Sequence, residues 1–180
     1  MRNLFVTEFV SLDGVIENPA WTFPYWNDEI AAFKGAESAA ADALLLGRVT
    51  YEGFAAAWPA RTDEESGGVY FNGVRKYVVS TTLERADWNN SVIIKDNVAE
   101  EIRKLKQQDG KDIAVHGSGK LVQWLLANDL VDHIRLLVYP VVLGKGQKMF
   151  EDGTVATLKL VEAKTLQGGV VGLIYTPVRG

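Results

Sequence analysis

Ile113-Ala114-Val115-His116-Gly117-Ser118-Gly119-Lys120-Leu121-Val122-Gln123-Trp124-Leu125-Leu126 is the stretch that decides how this chain folds. Its first part, residues 112–116, reads as a short buried strand. Gly117, Ser118 and Gly119 let the chain turn sharply and let another group approach the backbone. From Ser118 onward the apolar spacing Leu121, Val122, Leu125, Leu126 is helical. A helix that starts at such a turn presents free N–H groups and its positive dipole end to whatever lies over the glycines. Such a turn serves either as a steric necessity or as a phosphate cradle, and Lys120 adds a cation at the same place.

The same pattern occurs earlier. Residues 43–46 form a short apolar strand, Gly47 turns the chain, and a helix is expected over 49–57, with Arg48 and Thr50 at its start. An anion there would meet a guanidinium, a hydroxyl and backbone N–H groups together; alternatively Arg48 is a solvated surface residue. A third strand, 76–80, ends in Ser80-Thr81-Thr82, a hydroxyl cluster at a strand's carboxyl end, where open α/β sheets bind ligands.

Outward from these junctions, residues 4–12 look like a central strand closed by Ser11-Leu12-Asp13-Gly14. Asp13 either bonds its own backbone in that turn or contacts a ligand. Residues 18–26 are expected to be a loop, dense in aromatics: Trp21, Phe23, Tyr25 and Trp26. It covers a core edge, forms a dimer contact or walls a pocket for a flat ligand. Asn27 reads as an N-cap, with Asp28 and Glu29 in the first helical turn. The two acids either complement the dipole or offer one carboxylate to a ligand's ring N–H or amino group.

Residues 59–68 read as an exposed polar loop and 82–90 as a polar connection. Residues 92–94 form a short strand, and Asn97 caps a helix carrying Val98, Ile102 and Leu105 on one face. A long β pattern covers 131–142, with Pro140 at an edge or bulge. His133, alone among strand residues, reads as structural. A glycine-rich loop follows at 143–147, and 158–166 and 170–178 flank Gln167-Gly168-Gly169 as a β-hairpin. The pattern is α/β followed by antiparallel strands in one domain, residues 1–180, with a mixed sheet covered by helices on both faces.

Bulk properties narrow the function. A net charge of −4 argues against a broad nucleic-acid surface. With no cysteine, disulfides and thiolate metal sites are excluded, and two histidines, His116 and His133, argue against a histidine-rich metal site. No apolar run approaches the roughly 20 residues of a membrane span. The N-terminus lacks a signal-peptide layout, so a cytoplasmic location is expected. The glycine junctions are not a Rossmann fingerprint, since the third glycine and the downstream acid are missing. No Gly-Lys-Ser/Thr P-loop and no Gly-x-Ser-x-Gly elbow occur. The two cationic junctions and the hydroxyl cluster suit a pyrophosphate plus one further phosphate, as in NADPH, and Arg48 and Lys120 suit a 2′-phosphate better than a free ribose.

Taken in order, Ser11-Leu12-Asp13-Gly14, the aromatic loop, the acidic helix start, Leu45-Leu46-Gly47-Arg48-Val49-Thr50-Tyr51, Tyr77-Val78-Val79-Ser80, Val115-His116-Gly117-Ser118-Gly119-Lys120 and Pro140-Val141-Val142-Leu143-Gly144-Lys145-Gly146 resemble the dihydrofolate reductase superfamily. The closer likeness is to the branch related to the reductase domain of riboflavin-biosynthesis deaminase/reductases. It runs from residue 4 to about 178. It implies a three-layer α/β/α fold with an antiparallel C-terminal hairpin and NADPH as cofactor. It places Gly47, Arg48, Thr50, Ser80 and Thr81 at the adenosine phosphate end, Gly117, Ser118 and Gly119 at the pyrophosphate, and Lys120 near the 2′-phosphate. It puts an acid early in the first helix, Glu29 with Asp28 beside it, against the substrate. On an enzyme reading of these residues, Trp21, Phe23 and Trp26 wall the site, Asp28 or Glu29 anchors the substrate or assists proton delivery, and Asp13 contributes. A homodimer through the strands around 136–142 is expected on the same ground. His116 and Ser118 depart from the usual all-glycine loop, and the Trp-Thr-Phe-Pro-Tyr-Trp loop departs from both relatives, which leaves the substrate open. The expected activity is hydride transfer to a pteridine-like or ribosylaminopyrimidine substrate. The alternatives are a non-catalytic nucleotide-sensing module and a protein binding ATP or a flavin.

Overall fold

The computed structural model describes residues 1–64 and 67–178. Eight strands make one sheet: β1 (Leu4–Ser11), β2 (Ala41–Gly47), β3 (Arg75–Val79), β4 (Ser91–Ile94), β5 (Asp112–Val115), β6 (His133–Tyr139), β7 (Leu158–Thr165) and β8 (Val171–Pro177). Their order is β4-β3-β2-β5-β1-β6-β8-β7. The first six are mutually parallel; β8 runs antiparallel to β6, and β7 to β8. Parallel strands covered on both faces read as continuous apolar runs, and Ala43 to Leu46 and Ile113 to Val115 are all buried.

Among the described residues, five α-helices cover the sheet: α1 (Asp28–Ala40), α2 (Arg48–Ala57), α3 (Gly68–Gly73), α4 (Val98–Gln107) and α5 (Gly119–Ala127). Ile102 and Leu105 of α4 and Leu121, Val122 and Leu125 of α5 pack on Leu4, Val6, Leu45 and Ile113. Tyr51 of α2 packs on the opposite face, with Phe5, Leu44 and Leu46. Ile30 of α1 joins Leu137 and Tyr139 on that side. The alternation along β1 thus builds the three layers. The chain leaves β1 through α1 on one face and β5 through α5 on the other. The β1/β5 boundary is therefore where connections diverge, and a ligand crevice belongs there.

Register opens that crevice. β1 pairs with β5 only from Leu4 to Val6, but with β6 from Phe5 to Ser11. Beyond Val6 the two central strands part, and residues 7–11 border the gap.

Several expectations need correction. The aromatic stretch is not a loop but a 3₁₀ helix, Pro19–Tyr25. Gly68 opens a short helix where an exposed loop was expected, and Glu65 and Ser66 of that segment lie outside the described residues. Asn97 occupies the N-cap position of α4 in the left-handed region without a side-chain capping bond. The long β pattern shortens to β6, with Pro140 just past its end. β1 and β8 flank β6, and the sheet's outer strands are β4 and β7. No helix among the described residues is long and apolar enough to cross a membrane.

Lys76 in β3 shows how the sheet's far end is held. It is fully buried, and its Nζ donates to the carbonyls of Val74 at 2.8 Å and Asn89 at 2.9 Å. The ammonium also lies 4.1 Å from the Trp88 ring centroid. Burial lowers its pKa to about 8. Lys76→Ala strips these carbonyls of their donor and leaves a cavity, so a loss of about 3 kcal/mol is expected. A urea melt with an unchanged midpoint would refute this.

Candidate active site

The two strand–glycine–helix junctions touch. Gly47 N donates to Gly117 O at 3.1 Å. A methyl group on Gly47 would lie 2.3 Å from Ser118 Oγ and 2.9 Å from its nitrogen, so neither junction has room for a side chain at this contact. Gly47 and Ser118 are the N-cap residues of α2 and α5, both with extended backbone and neither with a side-chain capping bond. First-turn N–H groups without such caps are ready anion donors. Gly117 has φ +105°, and a methyl there would meet Thr50 Oγ1 at 2.9 Å. One on Gly119 would meet Gln147 Nε2 at 2.7 Å and Ile16 Cδ1 at 2.9 Å. Segments 15–16 and 147–148 are themselves joined, through Ile16 N to Gln147 O at 2.9 Å.

The structure therefore brings Gly47, Thr50, Gly117 and Ser118 into one cluster, with Gly119 and Lys120 opening α5. Arg48 begins α2 and pairs with Glu52 at 3.1 Å; both are about half exposed. Such a pair is worth little and is easily exchanged for another anion. Ser80 and Thr81 follow β3, one strand over, just beyond the register pair Gly47–Val79. Ser80 Oγ is buried and accepts from Thr82 N at 3.2 Å and Leu83 N at 2.9 Å; Thr81 is exposed.

The three acids read from the sequence have separate surroundings. The Asp13 carboxylate accepts from Ser11 Oγ at 2.6 Å, Leu143 N at 3.1 Å and Gly144 N at 2.7 Å. These bonds hold its pKa down to about 2. It is a fixed anion that ties the glycine-rich loop to the end of β1. Glu29 Oε2 accepts from Gln167 N at 2.7 Å, fastening α1 to the β7–β8 turn. Asp28 is exposed in the same first turn. Asn27 caps α1, its side-chain oxygen accepting from Glu29 N and Ile30 N.

The aromatic segment divides in two. Trp21 and Tyr25 turn their ring edges to Tyr139, each at 5.6 Å between centroids, and Phe9 does so at 5.8 Å. Phe23 and Trp26 face outward, 73% and 54% exposed. The inward pair covers the core edge over β6; the outward pair is free to meet a ligand or another chain.

Residues 2–172 match the family model of the RibD C-terminal domain. The chain belongs to the RibD C-terminal domain family. YyaP of Bacillus subtilis (strain 168), an uncharacterized protein, is 36% identical over 138 residues, covering 74% of this chain and 73% of its own. The crystal structure of a putative riboflavin biosynthesis protein from Shewanella sp. PV-4 superposes with a TM-score of 0.72 at 18% identity, over 98% of this chain and 99% of that one. Dihydrofolate reductase from Enterococcus faecalis, complexed with NADP(H), gives 0.62 at 15% identity, over 97% and 96%. The fold is thus dihydrofolate reductase-like, and the RibD C-terminal family points to reductase-type chemistry.

In this RibD C-terminal domain the structure adds residues that the sequence reading passed over. Lys34 of α1 reaches the sheet, donating to Thr7 Oγ1 at 2.7 Å and pairing with buried Glu37. His116 sits between the rings of Phe54 and Phe71, at 5.9 and 5.6 Å. Burial, aided by the Lys34 charge, holds its pKa well below 6.5, so it is neutral. Glu8 stands on β1 at the gap, its Oε1 buried without a hydrogen-bond partner. The available signal was Thr7-Glu8 inside an otherwise apolar strand, because buried charges are rare without a purpose.

Proposed function

We propose that this protein is an NADPH-dependent reductase that delivers hydride to a flat pteridine-like or ribosylaminopyrimidine heterocycle. The observation that carries this reading is the contact between the two uncapped helix starts through Gly47, Gly117 and Ser118, beside the place where β1 and β5 part. The residues present fit a dinucleotide: two adjacent helix starts without side-chain caps, and a cation beside each. Gly117, Ser118 and Gly119 would hold the pyrophosphate. Gly47, Arg48, Thr50, Ser80, Thr81 and Lys120 would hold the adenosine phosphate end. When bound, the cofactor supplies the hydride. The chain's own work is to orient the two rings and exclude water, with Phe23 and Trp26 as walls and Asp28 anchoring the heterocycle.

Thermal melts with NADPH and NADH test this. A ligand that binds only the folded state stabilises it by about 2.7 kcal/mol at 100 times its Kd. Arg48→Ala and Lys120→Ala are each expected to cut the preference for NADPH over NADH about tenfold, the loss of one charge-assisted phosphate contact of about 1.4 kcal/mol. An unchanged preference in both would sink the assignment. NADPH consumption is then measured on pteridines, dihydrofolate and the riboflavin-pathway aminopyrimidine. Binding without consumption on any of them would favour a non-catalytic sensing module.

A further inference from the structure

A short ribbon of chain crosses the start of α5. Val15 and Lys148 form an antiparallel bridge, Ile16 N donates to Gln147 O at 2.9 Å, and Met149 N donates to Gly14 O at 2.9 Å. Opposite residues of such a ribbon share a face, as do alternate residues along each strand. Ile16, Gln147 and Met149 therefore point the same way. Ile16 and Met149 enter the core cluster that holds Leu121 of α5. Gln147 is carried with them, and its side-chain amide rests on the helix start. Its Nε2 lies 2.7 Å, and its Cδ 3.0 Å, from the point that a methyl on Gly119 would occupy.

The ribbon is fastened from three sides. Asp13 accepts from Leu143 N and Gly144 N at the near end of the loop. Glu17 Oε2 accepts from Gln147 N itself at 3.1 Å. Gln123 of α5 donates to the carbonyls of Lys148 at 3.4 Å and Met149 at 3.3 Å. The main chain of Gln147 is thus engaged at both its N–H and its carbonyl. Its side-chain amide is partly buried and has no hydrogen-bond partner among the described residues. An amide withdrawn from water without a partner is a cost that leucine, filling the same space, would not carry. The amide is held where a ligand on the first turn of α5 would complete its bonding.

We infer that Gln147 is a phosphate-binding residue of the cradle. Its side-chain N–H group donates to the pyrophosphate of the dinucleotide, adding to the backbone N–H groups at the start of α5. Glu17 is a positioning residue that acts through Gln147 N. This rests on the reductase reading above, with the pyrophosphate at Gly117, Ser118 and Gly119.

The test is calorimetric titration with NADPH and with 2′-phospho-ADP-ribose, which keeps the pyrophosphate and lacks the nicotinamide. Gln147→Glu keeps the shape of the side chain and replaces the donor with an anion, so it should weaken both ligands about 100-fold. Gln147→Leu removes the donor without adding charge and should weaken both about tenfold, the loss of one hydrogen bond to a charged group. Wild-type affinity for both ligands in Gln147→Glu overturns the inference and leaves the reductase reading standing. A loss confined to NADPH also overturns it, because the contact would then be to the nicotinamide half. Should Gln147→Glu fail to fold, wild-type affinity in Gln147→Leu overturns it equally. A wild type that binds neither ligand overturns the reading and the inference together. Glu17→Ala should weaken NADPH severalfold in the wild type and not at all in the Gln147→Leu background. Equal losses in the two backgrounds overturn the positioning role of Glu17.

Discussion

Gly117→Ala will weaken dinucleotide binding on the order of 100-fold and destabilise the fold by about 2–3 kcal/mol. Gly117 has φ +105°, where an alanine Cβ is strained by about 1–3 kcal/mol. Its methyl would also come within 2.9 Å of Thr50 Oγ1. Relief requires the 116–118 loop to move. That movement breaks the Gly47 N to Gly117 O bond and pulls the start of α5 away from the start of α2. The hundredfold figure, about 2.7 kcal/mol, is the loss of roughly two charge-assisted backbone contacts to phosphate. Gly53→Ala is the control. Gly53 lies inside α2, exposed, with nothing within 4 Å of its added methyl. There the same exchange should stabilise by about 0.5–1 kcal/mol, because alanine favours the helix. Melting temperatures should therefore move in opposite directions, and only Gly117→Ala should lose its NADPH-induced shift. If Gly117→Ala bound NADPH as the wild type does, the cradle would be misplaced.

What the sequence disclosed and what it concealed follows from the range of each interaction. The junctions at Gly47 and Gly117 were legible because a strand end, a glycine and a helix start are consecutive residues with a local signature. That they touch was not legible, since Gly47 and Ser118 meet only once β2 and β5 pair. Helix α3 escaped because six residues with glycine at both ends carry no usable periodicity. Asp13 and Glu29 looked available because their donors, Gly144 N and Gln167 N, come from the far end of the chain. Trp21 and Phe23 look alike in sequence; only the position of Tyr139 separates the packed ring from the free one. Glu8 escaped because its setting depends on where β1 and β5 stop pairing, which is a property of register.

Stability should carry a signature of the buried Glu8 carboxyl. Its carboxyl titrates near 8 in the folded protein against an ordinary value of 4.5. Between those values the folded state holds a proton that the unfolded state has released. Stability therefore falls as pH rises through this window, and the full penalty is present above about 8. A shift from 4.5 to 8 corresponds to at most about 5 kcal/mol at roughly 1.4 kcal/mol per unit; the partial exposure of the side chain brings the expected value to about 2–3 kcal/mol. Other groups titrate nearby. His116, depressed well below 6.5, adds stability as pH rises to that value. Lys76, lowered to about 8 from 10.5, adds stability only above 8, and Asp13 loses its contribution only below about 3.8. The readout is therefore the difference between wild type and Glu8→Gln, in which these terms cancel. The two should unfold at the same urea concentration near pH 4.5, and the variant should gain steadily to about 2–3 kcal/mol by pH 8. Curves that stay parallel across that range would show that Glu8 is not a buried acid.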